Sequence, residues 1–147
     1  ALFSHVQLMG RFQKVAASPD VYIDVAHNPE AAVELSLRLS ELPTKPIAVC
    51  GMLKDKDIDA VMDHLSGSFS RWFCCDLPGP RGAKASELIK SISQQSHKSS
   101  LEEYSFQSVR EAFAAALAQA RVEHCPVIVF GSFVTVSEYL ALSQLKE

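Results

Sequence analysis

The sequence predicts an α/β fold: one mostly parallel sheet with helices on both faces. Three observations carry that prediction. Short apolar runs of strand type alternate with segments whose apolar residues fall at helical spacing, the order a parallel sheet requires. The runs are apolar throughout, as strands buried on both faces should be. The 147 residues are 48% hydrophobic and 21% charged, which fits a single domain with a real core.

The elements follow in order. VYIDVA (21–26) is rich in β-branched and aromatic residues and is bounded by Pro19 and Asn28-Pro29, so it reads as a strand. Residues 29–42 place Ala32, Leu35, Leu39 and Leu42 on one helical stripe that ends at Pro43. PIAVCGM (46–52) is the next strand, and Ile58, Val61, Met62 and Leu65 mark the helix after it, with Gly67 at its end. RWFCCDL (71–77) is a third strand, closed by PGPRG, and Ala85, Leu88, Ile89 and Ile92 repeat the helical spacing. The polar stretch SQQSHKSS (93–100) is expected to be a surface loop. Ser108 followed by Glu111 has the form of a capping box before the stripe from Val109 to Ala120. PVIVF (126–130) is a strand, and GSFVTVSEYLALSQL (131–145) opens as a turn and continues as the last helix. The strand-then-helix unit therefore recurs four times. RFQKVA (11–16) and LEEY (101–104) are candidates for two further short strands.

Several function classes are disfavoured. The net charge is −3 and no Lys/Arg run would track a phosphate backbone, so no nucleic-acid partner is expected. No apolar run approaches the roughly 18 residues of a membrane span, and ALFSHVQLMGRFQ lacks the pattern of a signal peptide. Cys50, Cys74, Cys75 and Cys125 form no CxxC pair and read as small core residues, which suggests a reducing cytoplasm. The five histidines are scattered, so no metal site is expected in this chain.

In an open parallel sheet, ligands gather where strands end and helices begin. Four such junctions occur: DVAHNPEA, GMLKDKD, DLPGPRGA and FGSFVTVSE. In the first, Asn28 is a good N-cap, Pro29 suits the first helical position and Glu30 suits the helix dipole. Asp24 is not needed for that turn. A carboxylate inside an apolar strand must pair with a Lys or Arg or accept hydrogen bonds from a ligand. On the latter reading, Asp24→Asn should leave fold stability unchanged. His27 is either a loop histidine or a ligand contact. Arg81, flanked by Pro80 and Gly82, is either a solvated arginine or a guanidinium placed for a carboxylate or phosphate. GSF (131–133) offers backbone N–H groups at a helix start, a generic anion site. There is no GxxxxGK[ST] loop, no GxGxxG and no GxSxG. A nucleotide site here would be only part of a site.

These residues resemble a known family. GRFQ (10–13), DVAHNPEA (24–31), GMLKDKD (51–57), GPRGA (79–83) and FGSFVTV (130–136) look like the C-terminal domain of the Mur ligase superfamily. Within it they look like the bacterial bifunctional folylpolyglutamate synthase / dihydrofolate synthase type. The resemblance implies a Rossmann-like sheet over residues 10–147, with 1–9 as a hinge-side segment. It implies that an N-terminal domain with the P-loop, the Mg2+ ligands and the pterin pocket belongs to a longer enzyme. It implies an ATP-dependent ligase, cytoplasmic and monomeric, that adds L-glutamate to dihydropteroate or folates through an acyl phosphate. By the resemblance, Arg11 reaches the ATP phosphates, Asp24 contacts the nucleotide, and His27 and Asn28 lie beside it. Arg81 is the candidate for the glutamate carboxylate, followed by Ser132. A histidine follows GSF in some relatives; Val134 stands there here and is assigned no chemistry. No catalytic residue is expected from this chain alone, which should be inactive by itself. The alternatives are a muramyl peptide ligase C-terminal domain and a stand-alone doubly wound nucleotide-binding or signalling module.

Overall fold

The structure, a computed structural model, describes residues 11–95 and 102–145. The expected hinge-side segment 1–9, Gly10 of GRFQ and the end of the expected loop, 96–100, lie outside the described residues.

Six strands form one sheet: β1 (Gln13–Ala16), β2 (Val21–Asp24), β3 (Ile47–Cys50), β4 (Arg71–Cys75), β5 (Glu102–Phe106) and β6 (Val127–Phe130). The five described helices are α1 (Pro29–Ser40), α2 (Ile58–Leu65), α3 (Ala85–Gln95), α4 (Val109–Glu123) and α5 (Phe133–Leu145). The strand order is β1-β2-β6-β3-β4-β5, parallel except for β1, which pairs antiparallel with β2 at the edge. Both short candidate strands exist, and β5 makes the strand-then-helix unit recur five times rather than four.

Connection handedness explains the two layers. The steps β2 to β3, β3 to β4 and β4 to β5 all move the same way across the sheet. Right-handed crossovers then place α1, α2 and α3 on one face. The step from β5 back to β6 reverses direction and puts α4 on the other face, where α5 joins it. The core divides accordingly. Leu35 and Leu39 of α1, Val61, Met62 and Leu65 of α2, and Leu88 and Ile92 of α3 share one cluster with Trp72 and Phe130. Val109, Ala112, Phe113 and Ala116 of α4 share the other with Val136 and Tyr139 of α5. On the first face Phe69 and Phe130 stack with centroids 5.4 Å apart, and Trp72 meets Phe69 edge-on at 4.9 Å.

One expected boundary is corrected. The predicted loop 93–100 does not begin at Ser93, because α3 runs to Gln95. Ser91 and Ile92 anchor its buried face, and Ser93 Oγ donates to the Glu103 carboxylate on β5 at 3.3 Å. Side-chain polarity hid a last helical turn whose exposed face is polar. The capping box at α4 is also one residue out of the usual pattern. Ser108 Oγ accepts the Glu111 N–H at 3.1 Å, but Glu111 Oε1 accepts the N–H of Gln107 at 3.2 Å. All four cysteines are buried and free, as their apolar surroundings suggested. Burial pushes the Cys75 thiol up to about 12.

Candidate functional site

The sheet register builds the site. Asp24 pairs with Phe130, Phe130 with Cys50, and Cys50 with Cys74, so four parallel strands end in one row. The segments after them, at 25–28, 131–132, 51–57 and 76–84, therefore share one edge of the sheet. They carry four of the six residues predicted to bind ligand, and a fifth, Asp24, is the last residue of β2. Arg11 reaches the same edge because β1 runs antiparallel and starts beside the end of β2.

Asp24 is 6% exposed, and both of its oxygens are used. Oδ1 accepts the N–H of Ala26 at 2.8 Å, and Oδ2 accepts the N–H of Phe12 at 3.0 Å. Neither a Lys/Arg partner nor a ligand is needed to account for this carboxylate. It ties the entry to β1 onto the turn after β2. Burial raises its pKa. The two backbone bonds and the charges of Arg11 and Arg38 oppose that shift without cancelling it. The expectation that Asp24→Asn would be harmless is therefore reversed. An amide presents one acceptor oxygen, and its NH2 would face a second N–H.

The Phe12 that Asp24 holds has φ +45°, in the left-handed region. Its ring stacks on Tyr22, with centroids 4.4 Å apart and planes at 12°. The adjacent Arg11 projects a side chain that is 73% exposed, with one ion pair to Glu34 of α1 at 3.2 Å. An exposed pair of this kind contributes at most about 1 kcal/mol, so the guanidinium can exchange Glu34 for a phosphate at little cost. A phosphate suits it better, because it adds bidentate geometry and more charge.

Asn28 is the N-cap of α1. Its Oδ1 accepts the Ala31 N–H at 2.8 Å, and Pro29 follows in the first turn. Its side-chain oxygen therefore has a structural partner. His27 Nδ1 lies 2.8 Å from the Val25 carbonyl oxygen. A carbonyl accepts only, so Nδ1 carries the proton and Nε2 remains for another partner. The ring lies 5.8 Å from that of Phe133, the first residue of α5.

Arg81 lies on the neighbouring junction and is held by residues of the β3–α2 segment. Its guanidinium donates to Asp55 Oδ2 at 2.8 Å, and its carbonyl accepts the Lys54 N–H at 2.7 Å. A bridge between Leu53 and Gly82 and a bond from the Ala83 N–H to the Met52 carbonyl join the two segments further. The arginine backbone is tied to that segment, while its guanidinium, on a side chain 66% exposed, already holds a carboxylate, that of Asp55.

Ser132 is 3% exposed and spends its hydroxyl internally. Its Oγ accepts the Thr135 N–H at 3.0 Å, while Thr135 Oγ1 donates to the Gly51 carbonyl at 2.8 Å. The hydrogen on the 2.8 Å contact between the two hydroxyls must then come from Ser132. The chain Ser132–Thr135–Gly51 locks the start of α5 to the end of β3. Gly131, at φ +118°, would place a Cβ 2.3 Å from the Gly51 oxygen, so the two strand ends approach as closely as glycine permits.

Sequence reasoning missed Glu34, Asp55, Thr135 and Asp76, whose Oδ1 accepts the Ala85 N–H at 2.7 Å at the start of α3. Asp76 had a local signal, an acid between a strand and a Gly/Pro turn. The others act across 23, 26 and 84 residues of chain. Among the described residues no group of three or more His, Cys, Asp or Glu could hold a metal ion. Among them, too, no helix is long and apolar enough to cross a membrane.

Comparison with known proteins gives this geometry a family. The pattern of the Mur ligase glutamate ligase domain matches residues 10–133. The chain belongs to the Mur ligase family. Dihydrofolate synthase/folylpolyglutamate synthase of Escherichia coli is 43% identical over 135 residues, covering 90% of this chain and 30% of that protein. A structure of E. coli FolC in complex with DHPP and ADP superposes with a TM-score of 0.81 at 40% identity, covering 93% of this chain and 31% of that one. A bifunctional folylpolyglutamate synthase/dihydrofolate synthase with Mn, AMPPNP and L-glutamate bound superposes with a TM-score of 0.80 at 37% identity, covering 92% and 32%. The chain thus spans about a third of the length of these relatives. Membership in this family replaces the reading of the chain as a signalling module.

Proposed function

We propose that this chain is the C-terminal part of an ATP-dependent ligase that adds L-glutamate to dihydropteroate, to folates, or to both. In that reading the substrate carboxylate is activated as an acyl phosphate, and the amine of glutamate displaces the phosphate. The identity to the E. coli folate enzyme supports this substrate class over a muramyl peptide. The observation that carries the reading is the pose of Arg11. An exposed guanidinium stands at the strand-end row on a backbone that the buried Asp24 clamps. Arg11 would neutralise the ATP phosphates. His27 Nε2 and the α1 N-terminus capped by Asn28 would meet the nucleotide beside it. Asp24 would act mainly by holding Arg11 in place. Arg81 would exchange Asp55 for the carboxylate of glutamate. The Ser132 segment would contribute backbone rather than hydroxyl contacts.

Mg2+ would be held by residues of the rest of the enzyme. Its chemistry would be to neutralise charge on the transferring phosphoryl group. Monomeric state and a cytoplasmic setting complete the proposal; four free, buried thiols support a reducing compartment.

Amide-resolved NMR of the chain with Mg2+ and AMPPNP tests the site. Shifts should concentrate at residues 11–12, 24–28 and 131–133, with dissociation constants in the millimolar range or weaker, about 4 kcal/mol at most. The chain alone should turn over no ATP. Grafted in place of the matching third of the E. coli relative, it should support glutamate-dependent ADP formation. Micromolar ATP binding mapped elsewhere on the chain would overturn the assignment.

A further inference from the structure

A second feature lies away from the strand-end row. Between α4, α5 and the turn after β1 runs a groove of about 670 Å3. That volume is in the range of small-molecule sites. Its floor is apolar, formed by Val21, Phe113, Leu117 and Leu142. Tyr139 lines it too, packed edge-on against Phe113 with centroids 4.8 Å apart. Tyr139 is 4% exposed, yet its hydroxyl has no hydrogen-bond partner among the described residues. Burial raises its pKa, so the phenol stays a protonated donor at neutral pH.

Among the described residues the buried side-chain polar atoms left without a partner are Gln13 Oε1, Trp72 Nε1 and Ser137 Oγ. Tyr139 Oη is not one of them, so its donor is open to solvent in the cavity that the ring lines. Two arginines of α4, Arg110 and Arg121, stand among the lining residues, and no Asp or Glu does. Both are exposed, and neither has an ion-pair or hydrogen-bond partner among the described residues. Their separation of eleven residues is about three turns, roughly 16 Å of helix, which returns both to nearly the same face of α4. In a chain of net charge −3, this is a cationic rim over an apolar floor.

We propose that this groove is a second ligand site, for a small aromatic anion whose rings lie on Phe113 and Leu117. The anionic group is held at the arginine rim, and a polar atom accepts from the Tyr139 hydroxyl. The site does not depend on the ATP and glutamate assignments. Val21 and Ala16 place it toward the end of β2 opposite Asp24.

Fluorescence titration of the chain with 8-anilinonaphthalene-1-sulfonate tests the proposal, beside the neutral N-phenyl-1-naphthylamine, which keeps the rings and lacks the charge. One saturable site is expected for the sulfonate. Tyr139→Phe should weaken it about three- to tenfold, the range for one hydrogen bond. The double change Arg110→Gln and Arg121→Gln should weaken it about tenfold while altering the neutral probe less than twofold. Denaturant melts confirm that the variants are folded; if Tyr139→Phe is not, the exposed arginine pair carries the test. Three results would overturn the proposal. One is sulfonate binding indifferent to both sets of changes. Another is displacement of the probe by AMPPNP, with shifts at 24–28. The third is a gain in affinity of tenfold or more on deleting residues 1–10, which would make that segment the occupant of the groove.

Discussion

The carboxylate of Asp24 accepts the backbone N–H of Phe12 at 3.0 Å while its other oxygen accepts that of Ala26 at 2.8 Å. One buried side chain thereby fixes both the turn after β2 and the residue next to Arg11. Asp24→Asn should lower the stability of the chain at neutral pH by about 1–3 kcal/mol, since one N–H then faces an NH2 group. The pH dependence has a defined sign. The folded-state pKa is raised above 3.8, chiefly by burial. The stability that protonated Asp24 contributes is thus fully present below pH 3.8 and is lost as pH rises through the folded value. The advantage of the wild type over Asp24→Asn should shrink across that window. Urea melts from pH 3 to pH 7 measure it; an advantage that grows with pH would mean that the ionised carboxylate is the preferred form.

Asn28 makes a local contact and should behave differently. Asn28→Ala removes the acceptor for the Ala31 N–H and should cost about 1 kcal/mol, as should Ser108→Ala at the start of α4. Both losses should be independent of pH between 5 and 8. A loss at Asn28 much below that at Ser108 would show that the cap on α1 is redundant.

These two residues show how far the sequence could be read. Asn28 was legible because its partner is three residues away and its neighbour is proline. The helical stripes, the parallel sheet and the junctions carrying the candidate residues were legible for the same reason: each is a local pattern. Asp24 was legible as an anomaly, a carboxylate in an apolar strand. Its explanation was not, because Phe12 is twelve residues upstream on a strand whose pairing is tertiary. Arg81 was likewise read as fixed by its flanks, whereas its partner Asp55 lies on another junction. Ser132 had a local signal as well, since its hydroxyl meets Thr135 three residues on, as Ser108 meets Glu111. Only the next link, from Thr135 to the Gly51 carbonyl 84 residues away, is tertiary.

That closure can be tested through two glycines. Gly79 (φ +85°) has open space where a Cβ would go, whereas a Cβ on Gly131 (φ +118°) would lie 2.3 Å from the Gly51 oxygen. Gly79→Ala should therefore cost only the backbone strain, about 1–2 kcal/mol. Gly131→Ala adds a backbone collision and should cost more, roughly 2–4 kcal/mol. Equal denaturant midpoints for the two variants would mean that the strand ends can separate freely.

Arg81 and Asp55 give the sharpest test of the proposed glutamate contact. The guanidinium at 2.8 Å lowers the Asp55 pKa below its usual value, first through the hydrogen bond itself. Arg81→Ala should move that pKa upward, seen by carboxyl NMR of the chain, with no change in the denaturant midpoint, because both side chains are largely exposed. The pair's contribution is present above pH 3.8 and fades as pH falls through the folded value of Asp55. If Asp55 only occupies the arginine until substrate arrives, the two residues should have opposite effects in the active graft. Arg81→Ala should raise the KM for glutamate about tenfold or more and leave the ATP dependence alone, as loss of a charge-assisted carboxylate contact would. Asp55→Asn should lower that KM or leave it unchanged, since a competing carboxylate has gone. A KM for glutamate that rises equally in both variants would make the ion pair itself the working unit, a clamp between the two junctions, and Arg81 would no longer stand as a substrate ligand.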